Sequence, residues 1–278
     1  MADTSRPPAA RGLTLRNAPS VAPGLVSDNR MVGEAAAAAE LGLAMEAAVF
    51  MDRREAGDRL LRHLPRLDPD SSVVVALPRG GLPVADGIAR ALGAPLDISL
   101  VRKVGVPGQP EYAVAAVTDG ADPSITVNAD VARMAGLDDA DIRQLAEREL
   151  PEIRRRRDMY LKGRPSLRLA GKHVVVVDDG IATGATMRAA LRLIRGQDPA
   201  RLIVAVPVAP KDTIDDLRTE CDEIICLETP PAFRAVGLHY RDFGQVSDTE
   251  VAEILEDHAR RRRASPEQPM PRGRGTTD

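Results

Sequence analysis

Two adjacent aspartates, Asp178 and Asp179, follow the unbroken apolar run Val174-Val175-Val176-Val177 and lead into Gly-Ile-Ala-Thr-Gly-Ala-Thr, ending at Thr186. Paired carboxylates at a strand end can accept hydrogen bonds from two vicinal hydroxyls or support a hydrated metal ion. The small residues Ala182, Thr183, Gly184, Ala185 and Thr186 stand where a helix should begin. Free backbone N–H groups there, with two hydroxyls, make an anion site suited to a phosphate monoester. Gly184 has no side chain to hold a phosphate away. A single acid in such a place can simply start a turn and cap the next helix. The whole pattern of pair, small-residue loop and helix points to binding.

These residues need a scaffold, and the surrounding sequence alternates strand and helix. Residues 72–77 (SVVVAL) and 172–177 are continuous apolar runs, as expected of parallel strands covered by helices on both faces. Further strands are expected at 95–101, 112–117, 124–127, 202–206 and 223–227, with helices at 53–67, 82–92, 187–194 and 213–219. The charged stretch 138–160 reads as helical, with Pro151 kinking it or opening a second helix. Ser247 and Glu250 form a capping-box pattern ahead of a last helix through Ala259. The fold class is therefore α/β, an open, mostly parallel sheet with flanking helices. Ligands of such sheets sit at the carboxyl ends of the strands.

The segment 174–186 resembles the phosphoribosyl diphosphate (PRPP) signature of the type I phosphoribosyltransferases, and the resemblance extends over about residues 50–261. It is nearest to uncharacterised bacterial members of that family. The resemblance implies that Asp178 and Asp179 hold the ribose hydroxyls and that residues 182–186 hold the 5-phosphate. It also implies a small hood element beside the sheet and Mg²⁺ as cofactor, held by the two aspartates indirectly through PRPP or water. Leu77-Pro78-Arg79-Gly80-Gly81 is similar to the family's diphosphate loop, where glycines allow close backbone approach and Arg79 can meet the charge. Residues 101–112, with Arg102 and Lys103 at their start, take the place of the mobile loop that closes over PRPP. Either cation could neutralise the leaving diphosphate, Lys103 being preferred as the catalytic residue, and closure would exclude water. Phe233 and Tyr240 fall where the family's substrate base often stacks. They could equally pack the C-terminal segment onto the core.

The implied reaction transfers phosphoribosyl from PRPP to a nitrogen acceptor. The acceptor stays open. The 6-oxopurine enzymes carry an Asp where this chain has Ala182; the Ala-Thr-Gly stretch is more similar to adenine and uracil enzymes, but uracil enzymes generally lack the counterpart of Asp179. A non-catalytic PRPP-binding regulator is the alternative, and the mobile loop is the feature that separates the two. A phosphate-handling hydrolase would need further metal ligands at other strand ends, and none is evident.

Composition narrows the classes further. Across 278 residues the net charge is −3, from 38 basic and 41 acidic side chains, without the basic footprint of a nucleic-acid binder. Aromatic residues make up only 2%, with no Trp, which argues against base-stacking platforms. The arginine runs 154–157 and 260–263 are flanked by acids and read as solvated faces, a subunit contact (a homodimer, for example) or an RNA contact being the other readings. Cys221 and Cys226 are read as structural thiols in one strand, pointing to opposite faces. With no membrane-length apolar run and no signal-peptide core, a cytoplasmic protein is expected. Residues 1–32 read as a disordered segment, 33–49 as helix-prone, 50–261 as the folded domain and 262–278 as a disordered tail.

Overall fold

The structure, a computed structural model, describes residues 14–17, 50–118 and 124–264. In chain order the elements are β1 (Thr14–Asn17), α1 (Arg53–Leu61), β2 (Ser72–Ala76), α2 (Gly81–Leu92), β3 (Leu96–Ile98), β4 (Val101–Val106) and β5 (Gln109–Thr118). They continue with β6 (Ser124–Val127), α3 (Ala129–Ala135), α4 (Asp139–Leu161), β7 (His173–Val177), α5 (Ala185–Arg195), β8 (Arg201–Val208), α6 (Lys211–Leu217), β9 (Glu223–Glu228) and α7 (Asp248–Ala264).

The apolar runs become the main sheet, five parallel strands in the order β3-β2-β7-β8-β9. Alternation along each strand sends side chains to opposite layers. Val74, Ala76, Val175, Val177, Ile203 and Ala205 share one cluster with Leu82 and Ile88 of α2 and with Val251 and Leu255 of α7. Val73, Val75, Val174, Val176, Leu202 and Val204 pack the other way, onto Met187, Leu191 and Ile194 of α5 and Ile214 and Leu217 of α6. With both faces covered, no polar position is needed along the central strands, which is why they read as unbroken runs. The α/β class and the parallel sheet expected from sequence are what the structure has.

Three expectations need correction. Residues 101–112, read as a loop rich in Gly and Pro, are mostly a β-hairpin. Strands β4 and β5 pair antiparallel, Lys103 opposite Ala116 and Val104 opposite Ala115, and Gly108 turns the chain at φ +79°. Its Pro and Gly serve a tight turn, and Val104, 2% exposed, anchors the strand in the core. This hairpin joins β6 and β1 in a second sheet, β1-β6-β5-β4, that sequence reading did not separate from the first. Within the segment read as disordered, Thr14–Asn17 run parallel to β6; residues 33–49 and 265–278 lie outside the described residues. Finally, Pro151 does not open a second helix: α4 runs unbroken through it from Asp139 to Leu161, behind a capping box between Asp138 and Asp141. Burial of Ile142, Ala146, Leu150, Ile153 and Tyr160 along one face outweighs the lost hydrogen bond.

Smaller shifts concern the ends. Cys221 precedes β9 rather than sharing the strand with Cys226, its thiol lying on the Leu217 carbonyl. Burial pushes both thiols up to about 11, as suits inert packing groups. Ser247 Oγ accepts from Glu250 N at 3.1 Å as expected, and α7 runs on to Ala264, past the expected start of the tail.

Ile203, fully buried on the face of the sheet that packs against α2 and α7, sets a scale for the core. Ile203→Ala is expected to cost about 2–5 kcal/mol in denaturant unfolding. Met51→Ala, at a position 55% exposed, should stay within about 0.5 kcal/mol.

Candidate functional site

The register of β2 on β7 creates the site. Ala76 pairs with Val177, and Leu77 N donates to Val177 O at 2.9 Å, so the loops leaving both strands emerge side by side. The first loop crosses Arg79-Gly80-Gly81, with a cis peptide between Pro78 and Arg79. It presses directly on the acidic pair. A Cβ at Gly80 would stand 2.0 Å from Asp179 Oδ2, and one at Gly81 would stand 2.6 Å from Val177 O. Only hydrogen at these positions lets the loop lie against the carboxylates.

Asp178 Oδ1 accepts from Asp179 N at 2.9 Å. Burial, and then the neighbouring Asp179 charge, push the Asp178 carboxyl well above the usual carboxylate range. Burial raises Asp179 too, opposed by Arg53, whose Nε donates to Asp179 Oδ2 at 2.8 Å. The same guanidinium donates from Nη1 to Gly244 O at 2.8 Å and lies 3.8 Å over the Phe243 ring.

The second loop leads into α5. Gly184 takes the left-handed conformation, φ +73°, and a Cβ there would also meet Thr213 Cγ2 at 2.8 Å. Thr213 Oγ1 donates to Ala182 O at 3.0 Å and steadies the loop from α6. Ala182, Thr183 and Thr186 are exposed, Ala185 is half-buried, and no side chain caps the helix. An uncapped N-terminus beside two hydroxyl side chains can receive an anion.

Arg79 sits 3.9 Å from Asp248 at the start of α7. Asp248 also accepts from the Tyr160 hydroxyl of α4 and lies 4.0 Å from Arg155. Burial and that neighbouring carboxylate push Tyr160 up to about 12, so it donates throughout the physiological range. Arg79 is thus oriented by two helices far away in sequence.

The other anticipated residues fare differently. Arg102 is paired with Glu149 of α4. Lys103 is exposed on the opposite face of the hairpin, lining a pocket with Arg188 and Arg192 of α5 and with Ala185. The contacts of Arg102 are thus on α4 and the pocket of Lys103 is on the α5 flank. Tyr240 is only 4% exposed; its ring lies 5.3 Å from Phe50 and 5.1 Å from Phe243, and its hydroxyl donates to Asp179 O at 2.6 Å. It holds the acidic strand end rather than offering a surface for a base. Phe233 is half-buried and stacks on His239, centroids 5.6 Å apart. Arg53, Tyr160, Thr213 and Asp248 were missed by sequence reasoning. Arg53 lies 126 positions from Asp179, and no local pattern marks it.

Two consequences can be measured. Gly80→Ala should cost about 1–3 kcal/mol of stability by overpacking against Asp179, read by denaturant unfolding. Asp178 holds its proton more tightly folded than unfolded, so its ionisation opposes folding as pH rises above the ordinary carboxylate range. Asp178→Asn should therefore raise the melting temperature of the ligand-free protein, by more at about pH 8 than at about pH 5. A melting temperature that falls equally at both would contradict this.

With this geometry in view, comparison with known proteins is informative. A model of the phosphoribosyl transferase domain matches residues 56–241. Curated proteins from two strains of Mycobacterium tuberculosis, provisionally named phosphoribosyl transferases, are each 44% identical over 208 residues, covering 75% of this chain and 46% of their own length. The chain therefore spans about half the length of the curated relatives it matches. The crystal structure of TT1426 from Thermus thermophilus is 42% identical and superposes with a TM-score of 0.67, over 75% of this chain and 98% of that one. The matched region contains both strand-end loops and the acidic pair between them, and the chain belongs to the phosphoribosyl transferase domain family.

Proposed function

We propose that this protein binds PRPP at the ends of β2 and β7 and transfers its phosphoribosyl group to a nitrogen acceptor, releasing diphosphate. The single observation that carries this reading is the contact of Gly80 and Gly81 with the acidic pair, which joins the diphosphate-type loop and the ribose-type carboxylates in one site. On this reading Asp178 and Asp179 accept from the ribose hydroxyls, residues 182–186 receive the 5-phosphate, and Arg79 with the Gly80 and Gly81 backbone receives the diphosphate. A nitrogen lone pair forms the new bond to the anomeric carbon, the bond to diphosphate oxygen breaks, and its electron pair leaves with diphosphate. The acceptor loses its proton to solvent. The protein's part is positioning and charge matching in a water-poor site.

Among the described residues no group of three or more His, Cys, Asp or Glu could hold a metal ion. Two adjacent carboxylates nevertheless suit Mg²⁺, which takes few protein ligands and completes its shell with water and substrate oxygens. Asp178 and Asp179 would hold it through those oxygens. Bound there, Mg²⁺ would lower the charge on the departing diphosphate.

The acceptor class remains open between nucleobases and related amines, with Phe233 as the candidate stacking surface. One observation favours the alternative of a non-catalytic PRPP-binding regulator: Arg102 is committed to Glu149, and the expected closing loop is a paired hairpin. Lys103, exposed beside Ala185 and Arg188 of α5, separates the readings: only a catalyst needs its cation for turnover. Among the described residues, no helix is long and apolar enough to cross a membrane.

Calorimetry with PRPP, with and without Mg²⁺, followed by diphosphate release against a panel of bases, tests this directly. Asp178→Asn combined with Asp179→Asn should abolish PRPP binding while the fold persists; unchanged affinity would refute the ribose assignment. Lys103→Ala should lower turnover far more than PRPP affinity, and equal losses would remove its catalytic role. PRPP binding without diphosphate release for any base would support the regulator.

A further inference from the structure

Arg53 occupies a position that the family signature does not assign. It is the first residue of α1, and its side chain is only 11% exposed. Three contacts fix its guanidinium: the 2.8 Å bond to Asp179 Oδ2, the 2.8 Å bond to Gly244 O, and the face of Phe243 at 3.8 Å. Asp179 is gripped at its other end too, its carbonyl accepting from Tyr240. On the remaining side Gly80 is so close that even a methyl group would overlap Oδ2. Asp179 Oδ2 is therefore already spoken for, and the two aspartates are not equivalent.

We infer that Arg53 is a positioning residue that serves as the built-in counter-ion of the acidic pair, turning Asp179 so that only Oδ1 faces the ligand and keeping the empty site from capturing a divalent cation on its own. The inference rests on the PRPP-binding reading of the site. Its physical basis is charge. Two adjacent carboxylates with no internal cation would concentrate negative charge wherever they ionise, which attracts divalent ions. A guanidinium at hydrogen-bond distance offsets the Asp179 charge and occupies its Oδ2. A metal would then enter only with ligands supplied by the substrate. Lysine could restore the charge, but its single ammonium could not bond Asp179 and Gly244 O together in the fork geometry while stacking on Phe243.

The test uses the full chain and Mn²⁺ as a spectroscopic probe, titrated in the absence of PRPP, with Arg53→Met, Arg53→Lys and the double variant Arg53→Met, Asp179→Asn. Arg53→Met should bind Mn²⁺ at least about tenfold more tightly than the parent chain, a gain that structural damage would not produce. Arg53→Lys should return Mn²⁺ affinity to near the parent value, and the double variant should lose the gain. PRPP affinity at saturating Mg²⁺ should fall about tenfold or more in Arg53→Met, because Asp179 is no longer oriented. Parent-like Mn²⁺ and PRPP affinities in a folded Arg53→Met would overturn the inference. Should Arg53→Met fail to fold, Mn²⁺ binding by Arg53→Lys tighter than the parent would overturn it, and parent-like binding would uphold it. Failure of the parent chain to bind PRPP would instead refute the PRPP reading; the Mn²⁺ comparison would still decide the counter-ion role.

Discussion

Two carboxylates at the end of a buried central strand are costly, because each charge loses water and faces the other. Much of the surrounding structure answers that constraint. Arg53 supplies a cation to Asp179, and Asp179 N donates to Asp178. The loop after β2 contributes glycines where any side chain would collide with the pair. Asp178 is left with a carboxyl that resists ionisation, because burial and the neighbouring Asp179 both disfavour its charge.

The scarce aromatic rings are concentrated at the same corner. All three phenylalanines and Tyr240 gather where the segment after β9 folds back over α1. Arg53 and Arg59 lie on the faces of Phe243 and Phe50, so the cations are held by apolar surface as well as by charge. A second network, Arg79–Asp248–Tyr160, ties the diphosphate-type loop to α7 and α4. The long charged helix thus has a role at the site although it contributes no ligand-type residue of its own. Two of its arginines, Arg155 and Arg156, bond Glu152 on the same helix.

The hairpin β4–β5 divides its cations between two faces. A strand points alternate residues in opposite directions, so Arg102 meets α4 while Lys103 faces α5. Had these residues lain in an irregular loop, both could have turned towards the same ligand. Pairing in a sheet therefore decides that at most one of them is available without rearrangement.

How much was legible in the sequence follows from the range of the interactions involved. The unbroken valine runs declared buried parallel strands, because covering a sheet on both faces removes every polar position from its centre. The acidic pair, the glycines and the small-residue loop declared an anion and hydroxyl site, because their chemistry depends on neighbours a few positions away. The hairpin was hidden, since Gly and Pro mark a tight turn and an open loop equally well until a partner strand is known. In sequence Tyr240 stays open between a base contact and core packing, and Arg53 is missed, for the same reason. Their roles come from contacts across 61 and 126 positions, and only the packed tertiary structure brings such residues to one carboxylate.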